Sequence, residues 1–149
     1  MKETIAALLV HDRAGHLFPL KQVLEAQRVK IIEARTCEEA AHEIAKANPP
    51  HLIFTDTAVP DGTCFDVLEL AAKAPRPVNV IVASRTANGR LYLDAMEHGA
   101  FDFITATSLI SELAYILHNA AENVVSLRRE HGRLCREPAA ASGNGKTLA

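Results

Sequence analysis

Short apolar runs in this chain end, again and again, in polar residues that can do chemistry. Ile5–Val10 stops at His11-Asp12, Leu52-Ile53-Phe54 at Thr55-Asp56, Val78–Ala83 at Ser84, and Phe101–Ile104 at Thr105-Ala106-Thr107. Behind Asp56 comes Thr57-Ala58-Val59-Pro60-Asp61-Gly62, a turn-rich loop with a proline four residues beyond the acid. Two carboxylates from neighbouring strand tips can hold a hard divalent cation, with a backbone carbonyl completing the shell. That cation and a hydroxyl such as Ser84 would stabilise a phosphoryl group transferring to Asp56. Plainer readings exist for each: Asp56 as a solvated strand-end acid, Asp12 as a helix N-cap, Ser84 as a turn residue.

These residues can meet only if the runs before them are neighbouring strands. Continuous apolar runs of this length read as strands covered on both faces, hence a parallel sheet. Val29–Ala34, rich in β-branched residues, supplies a fifth. Helical patterns lie between them. One spans about Leu17 to Gln27, with Pro19 near its start, which allows a later beginning. A second follows the capping box Thr36-Cys37-Glu38-Glu39 and should bury Ala40, Ala41, Ile44 and Ala45 before Asn48-Pro49-Pro50. A third, Phe65–Ala74, offers Val67, Leu68, Leu70 and Ala71 to the core. A fourth, Leu91–His98, offers Leu91, Leu93, Ala95 and Met96 and is capped by Gly99. Five strands alternating with helices predict an α/β fold, a doubly wound five-stranded parallel sheet, whose ligands gather at the carboxyl ends of the strands.

Composition narrows the function. The chain has 149 residues, 48% of them apolar, and a formal charge of -2 from sixteen Lys+Arg and eighteen Asp+Glu. A basic surplus for nucleic acid or an anionic membrane is missing, so neither is expected as a partner. No apolar run approaches the ~18 residues of a membrane span, and Met1-Lys2-Glu3-Thr4 leads into no signal-peptide pattern. Cys37, Cys64 and Cys135 are odd in number and widely spaced, which suits reduced thiols in a cytoplasmic protein better than disulfides or a metal site. The length suggests one core, acting through its surface.

From about Thr4 to Asn119 the sequence resembles the receiver domains of bacterial two-component response regulators, which have a CheY-like (flavodoxin-like) fold. The resemblance rests on the strand ending at Asp12, Pro50-His51-Leu52-Ile53-Phe54-Thr55-Asp56 with Pro60 beyond, Val80-Ile81-Val82-Ala83-Ser84, and Gly99-Ala100-Phe101-Asp102-Phe103-Ile104. It implies that Asp56 accepts phosphate from a histidine kinase or phosphotransfer protein and that a downstream protein reads the result. It further implies that Asp12, Asp56 and the carbonyl of Ala58 bind Mg²⁺, that Ser84 contacts the phosphate, and that Phe103 is the switching aromatic. Beyond self-catalysed transfer to and hydrolysis from Asp56, no enzyme activity is implied.

Several positions depart from the family pattern. His11 replaces the first of two acids, a change that weakens the metal site because a neutral imidazole suits Mg²⁺ poorly. Ala106 and Thr107 stand where Lys and Pro are usual, Arg85 where a small residue follows the hydroxyl, and Cys64 where Gly is expected. Losing the Lys removes a charge-assisted contact worth ~1.5–3 kcal/mol. A protonated His11 paired to Asp56, or Arg85 swung towards the pocket, would be ways to replace that charge. The departures keep open a phosphorylation-independent pseudo-receiver, a module for dimerisation or partner docking. A cobalamin- or flavin-type binder on the same architecture is disfavoured: no Asp-x-His-x-x-Gly follows a strand, although His16 stands four residues after Asp12, and there is no Gly-rich phosphate loop.

The last helical pattern runs long. Ile110, Leu113, Leu117, Ala120, Val124, Leu127, His131 and Leu134 recur at 3-4 spacing. The expected organisation is a receiver domain over 1–121, a helix extension over 122–137 and a disordered tail or linker over 138–149. The extension adds roughly 20 Å of helix. Leu113, Leu117, Ala120, Val124 and Leu127 form an apolar seam, read as a short coiled coil joining a homodimer. Arg128, Arg129, Arg133 and Arg136 are read as a solvated, dipole-complementing helix end.

Overall fold

A computed structural model of the chain describes residues 4–12, 17–105, 108 and 110–136, the side chains of 134–136 excepted. Its strands are β1 (Ala6–Val10), β2 (Lys30–Ala34), β3 (Leu52–Asp56), the two-residue β4 (Ala58–Val59) and β5 (Gly62–Thr63), β6 (Asn79–Ser84) and β7 (Asp102–Thr105). Its helices are α1 (Phe18–Ala26), α2 (Cys37–Ile44), α3 (Cys64–Ala72), α4 (Gly89–Glu97) and α5 (Ile110–Arg136). The main sheet has the order β2-β1-β3-β6-β7, and every pairing in it is parallel. All five expected strands are present, with their ends within a residue or two of the expected ones.

Side-chain alternation splits the core into two layers, as a period of two requires. Ala7, Leu9, Leu52, Phe54, Ile81 and Ile104 point to one face, covered by α1 and α5. Leu8, Val10, Ile53, Val80 and Val82 point to the other, covered by α2, α3 and α4. The central strands β1, β3 and β6 are buried on both sides, which explains their largely apolar sequences.

Helix starts follow from local caps, with two differences from expectation. Thr36 Oγ1 accepts the Glu39 amide at 3.1 Å, but the Glu39 carboxylate accepts from the Arg35 amide rather than closing back on Thr36. The complete box belongs instead to α3, where Thr63 accepts the Phe65 amide and Asp66 accepts the Thr63 amide. Leu93, expected in the core, is exposed, and so is Ala45, the C-cap of α2. Helix α4 buries only Ala95 fully and leans Leu91 and Met96 on the core, so Leu93 falls on its outer face. Gly99 ends α4 with φ 99°, the left-handed value a C-terminal cap favours.

The long helix corrects two expectations. Leu113, Leu117, Ala120 and Val124 are all at most 4% exposed and sit in the α1–α5 core layer. Four of the five proposed seam residues thus face the domain itself, and only Leu127, 44% exposed, stands outside. The buried face of α5 also continues past residue 121, through Val124 to Arg128. Arg128, read as part of a solvated helix end, is buried against the base of the sheet. Its Nε donates to Pro77 O at 2.8 Å, and its Nη2 donates to Pro49 O and Pro50 O at 3.0 and 2.8 Å. Asn79 adds a second tie, donating to Ala120 O and to Asn123 Oδ1. His51 closes the same edge by accepting the Ala6 amide through Nδ1.

Candidate functional site

The ladder pairs Val10 with Thr55, Asp56 with Ala83 and Ser84 with Thr105. The residues that follow or end these strands therefore line up along one edge. Asp56, the last residue of β3, is only 5% exposed. Its Oδ1 accepts the Thr57 amide at 2.7 Å, while Oδ2 lies 4.0 Å from Arg85 Nη2. Ser84, also buried, closes a small ring: its hydroxyl donates to Thr86 O at 2.7 Å and accepts the Thr86 amide at 3.3 Å. Arg85 projects from the middle of that ring into solvent, its side chain 60% exposed.

His11 does something else. Its ring is buried and turned away from Asp56, with Nε2 donating to Glu33 Oε1 at 2.8 Å. Lys21 donates to both oxygens of the same carboxylate. Burial, which would raise the Glu33 carboxyl, is outweighed by hydrogen bonds from His11 and Lys21, so its pKa falls below the ordinary value. The proposed His11–Asp56 pair is corrected accordingly: the imidazole serves β2, the strand on the other side of β1. Glu33 carried no sequence signal, since a lone acid in a strand reads as a solvated face.

The loop after Asp56 is built into a two-residue hairpin, β4 with β5, and is pinned at its tip. Asp61 reaches the start of α2, accepting the Cys37 amide at 2.7 Å and the Glu38 amide at 3.1 Å. Those backbone bonds, the Cys37 one first, hold its carboxyl below the usual range. Gly62 packs so closely that a Cβ there would lie 2.6 Å from Asp66 Oδ2 and 2.7 Å from Cys37 Sγ. At the loop's end the Cys64 amide donates to Thr57 O, and the Cys64 side chain fills the core. Burial, followed by the nearby carboxylates, pushes the Cys37 and Cys64 thiols up to about 11, so both are inert at neutral pH.

Phe103 meets Tyr92 of α4 in a T-shaped pair with centroids 5.7 Å apart. Tyr92 is partly exposed, so the pair opens onto the surface between α4 and β7. Positions 106 and 107 lie outside the described residues, as do His16 and 137–149.

The sequence profile of the response regulator receiver domain matches residues 7–118, well over half of the chain. The chain belongs to the response regulator receiver family. This receiver domain is 31% identical over 101 residues to the sensory transduction protein LytT of Bacillus anthracis, covering 67% of this chain and 40% of that protein. It is 28% identical over 154 residues to a protein-glutamate methylesterase/protein-glutamine glutaminase of Vibrio parahaemolyticus, covering 97% of this chain and 41% of that one. The chain thus spans about two fifths of both relatives. Among solved structures, a response regulator receiver domain protein from Clostridium thermocellum superposes with a TM-score of 0.71 at 22% identity, over 83% of this chain and 98% of that one. That likeness shows the CheY-like fold.

Receiver domains typically bind Mg²⁺ at this acidic edge. Among the described residues no three His, Cys, Asp or Glu side chains gather to hold a metal by themselves. The donors at the edge are Asp56, the exposed Asp12 one strand away, and the backbone carbonyl of Ala58, an exposed residue of β4. All three are hard oxygens, and Mg²⁺ ordinarily keeps several waters beside one or two carboxylates. The set fits that ion chemically. With His11 committed to Glu33, no nitrogen enters it.

Proposed function

We propose that this receiver domain accepts a phosphoryl group on Asp56 from a histidine kinase or phosphotransfer protein. The observation that supports this most is the state of Asp56 itself. A carboxylate is kept 5% exposed at the open end of a parallel sheet, held at one oxygen by a backbone amide. Burying a charge is costly unless it is paired and hydrogen-bonded. In the reaction an oxygen of Asp56 attacks phosphorus, the donor's P–N bond breaks, and the imidazole leaves with the electron pair. Asp12, Asp56 and the Ala58 carbonyl would hold Mg²⁺, which when bound neutralises charge on the phosphoryl oxygens. The Thr57 amide fixes the rotamer of the acid.

Output follows from Ser84. Its hydroxyl cannot both close on Thr86 and donate to a phosphoryl oxygen, so occupancy of Asp56 would open the Ser84–Thr86 ring. That ring begins the segment leading to α4, where Tyr92 and Phe103 pack. A downstream protein would read this face. Cytoplasmic signalling of this kind needs neither nucleic acid nor membrane, and no helix among the described residues is long and apolar enough to cross one.

Two observations favour the second reading, a pseudo-receiver that docks partners or a second copy without phosphate. Arg85 already stands within ion-pair distance of Asp56, and His11 is lost to Glu33. The two readings separate on incubating the chain with Mg²⁺ and acetyl phosphate. A hydroxylamine-labile mass increase that Asp56→Asn abolishes supports acceptance of phosphate; no increase at any Mg²⁺ concentration leaves the docking module. Sizing of the full chain against a 1–121 truncation tests self-association through the far end of α5, the truncation judged only where circular dichroism shows it folded.

A further inference from the structure

The two oxygens of Asp56 stand in different surroundings. Oδ1 accepts the Thr57 amide at 2.7 Å, whereas Oδ2 faces the Arg85 guanidinium across 4.0 Å. A charged hydrogen bond of this kind spans about 2.7–2.9 Å, so Arg85 attracts Oδ2 without bonding to it. We propose that Arg85 is a catalytic residue of this site, the cation that pairs with the phosphoryl group while it transfers to Asp56 and after it has arrived. The proposal rests on Asp56 being the phospho-acceptor.

The charge balance supports it. As an Asp56 oxygen attacks phosphorus, a new O–P bond forms, and the leaving group departs with the electron pair of the bond that breaks. A single carboxylate charge becomes a dianionic group lying further out, towards the solvent side from which Arg85 approaches. The attraction is therefore larger for the transition state and the product than for the free carboxylate, which is the condition for catalysis rather than mere binding. Ala106 and Thr107, the two residues that follow β7 in the sequence, carry no charge. Arg85 is also suitably mounted. The Ser84–Thr86 ring holds its backbone, while the side chain, 60% exposed, keeps the freedom to follow the group and loses little hydration in doing so. A guanidinium fork can hold two phosphoryl oxygens at once, which an ammonium does less well.

The test compares the full-length wild type with Arg85→Ala, Arg85→Met and Arg85→Lys in Mg²⁺ and acetyl phosphate, following formation and decay of phospho-Asp56 by intact mass. The residue is exposed, so all four chains should fold alike, which circular dichroism checks. The expected result is labelling slowed about tenfold or more in Ala and Met, the kinetic equivalent of one lost charged contact. Lys should recover part of the rate, and added salt should slow the wild type towards Ala. Equal rates in wild type and Ala overturn the proposal, as does wild-type behaviour in Met. Faster labelling in Ala would make Arg85 a plug over the acid and overturn it too. A wild type that never labels removes the phospho-acceptor reading itself, and Arg85's role with it, a result distinct from any of these.

Discussion

Two arginines mark opposite ends of the same sheet, and the chain treats them in opposite ways. At the amino end Arg128 is 2% exposed and donates to three prolyl carbonyls at 2.8–3.0 Å. At the carboxyl end Arg85 is 60% exposed and stands 4.0 Å from the buried carboxylate of Asp56. The prolines explain the first. Pro49, Pro50 and Pro77 precede the first ladder pairs of β3 and β6, where Arg128 supplies donors to their carbonyls. A buried cation is tolerated where hydrogen bonds surround it. The second arginine makes no such investment, which leaves it free to respond to a change of charge on Asp56. One end of β3 and β6 is fastened so that the other can react.

Breaking the fastened end should have the largest effect. Arg128→Ala leaves two buried carbonyls and one part-buried carbonyl short of a donor and should cost about 3 kcal/mol in chemical denaturation, because buried acceptors without a donor carry their full desolvation penalty. The folded fraction should still label on Asp56 at the wild-type rate. Gly62→Ala comes next. Its Cβ would press on Asp66 Oδ2 and Cys37 Sγ, so a loss of about 1–2 kcal/mol is expected from overpacking. Because this change sits in the Asp56 loop, it should also raise the Mg²⁺ concentration needed for half-maximal labelling, which Arg128→Ala should not.

Smaller still is Asp61→Ala, which removes the acceptor for two first-turn amides of α2. The folded-state pKa of Asp61 is depressed below 3.8, so its contribution is present above that value and lost as pH falls through the folded pKa. Thermal melts should therefore show a gap between wild type and variant at pH 7 that closes in strong acid. The mildest test concerns the thiols. With pKa values near 11, Cys37 and Cys64 should resist iodoacetamide in the native chain at pH 8 and react once the chain is unfolded.

What could be read from the sequence follows the same division. Strands, caps and the line of Asp12, Asp56 and Ser84 come from local patterns, because apolar run length and cap chemistry are properties of neighbours in the chain. What escaped depends on pairings made by the fold. His11 with Glu33 spans 22 positions, Asp61 with Cys37 spans 24, and Arg128 with Pro49 spans 79. Arg128 still left a trace. It follows Val124 by four residues, continuing the Leu113, Leu117, Ala120, Val124 ridge, whereas the seam reading turned aside to Leu127. A charged residue on an apolar ridge can be its anchor rather than its end, as Arg128 is here.

The decisive measurement titrates the full chain with beryllofluoride and Mg²⁺, a phosphoryl mimic, while following backbone amides by NMR. Saturable shifts are expected at Asp56, the 57–63 loop and Ser84–Thr86, spreading to Tyr92 and Phe103, with His51, Asn79 and Arg128 unmoved. Absence of binding would contradict the reading of Asp56 as a phospho-acceptor, and shifts as large at the base as at the site would contradict the division between a fastened end and a reactive one.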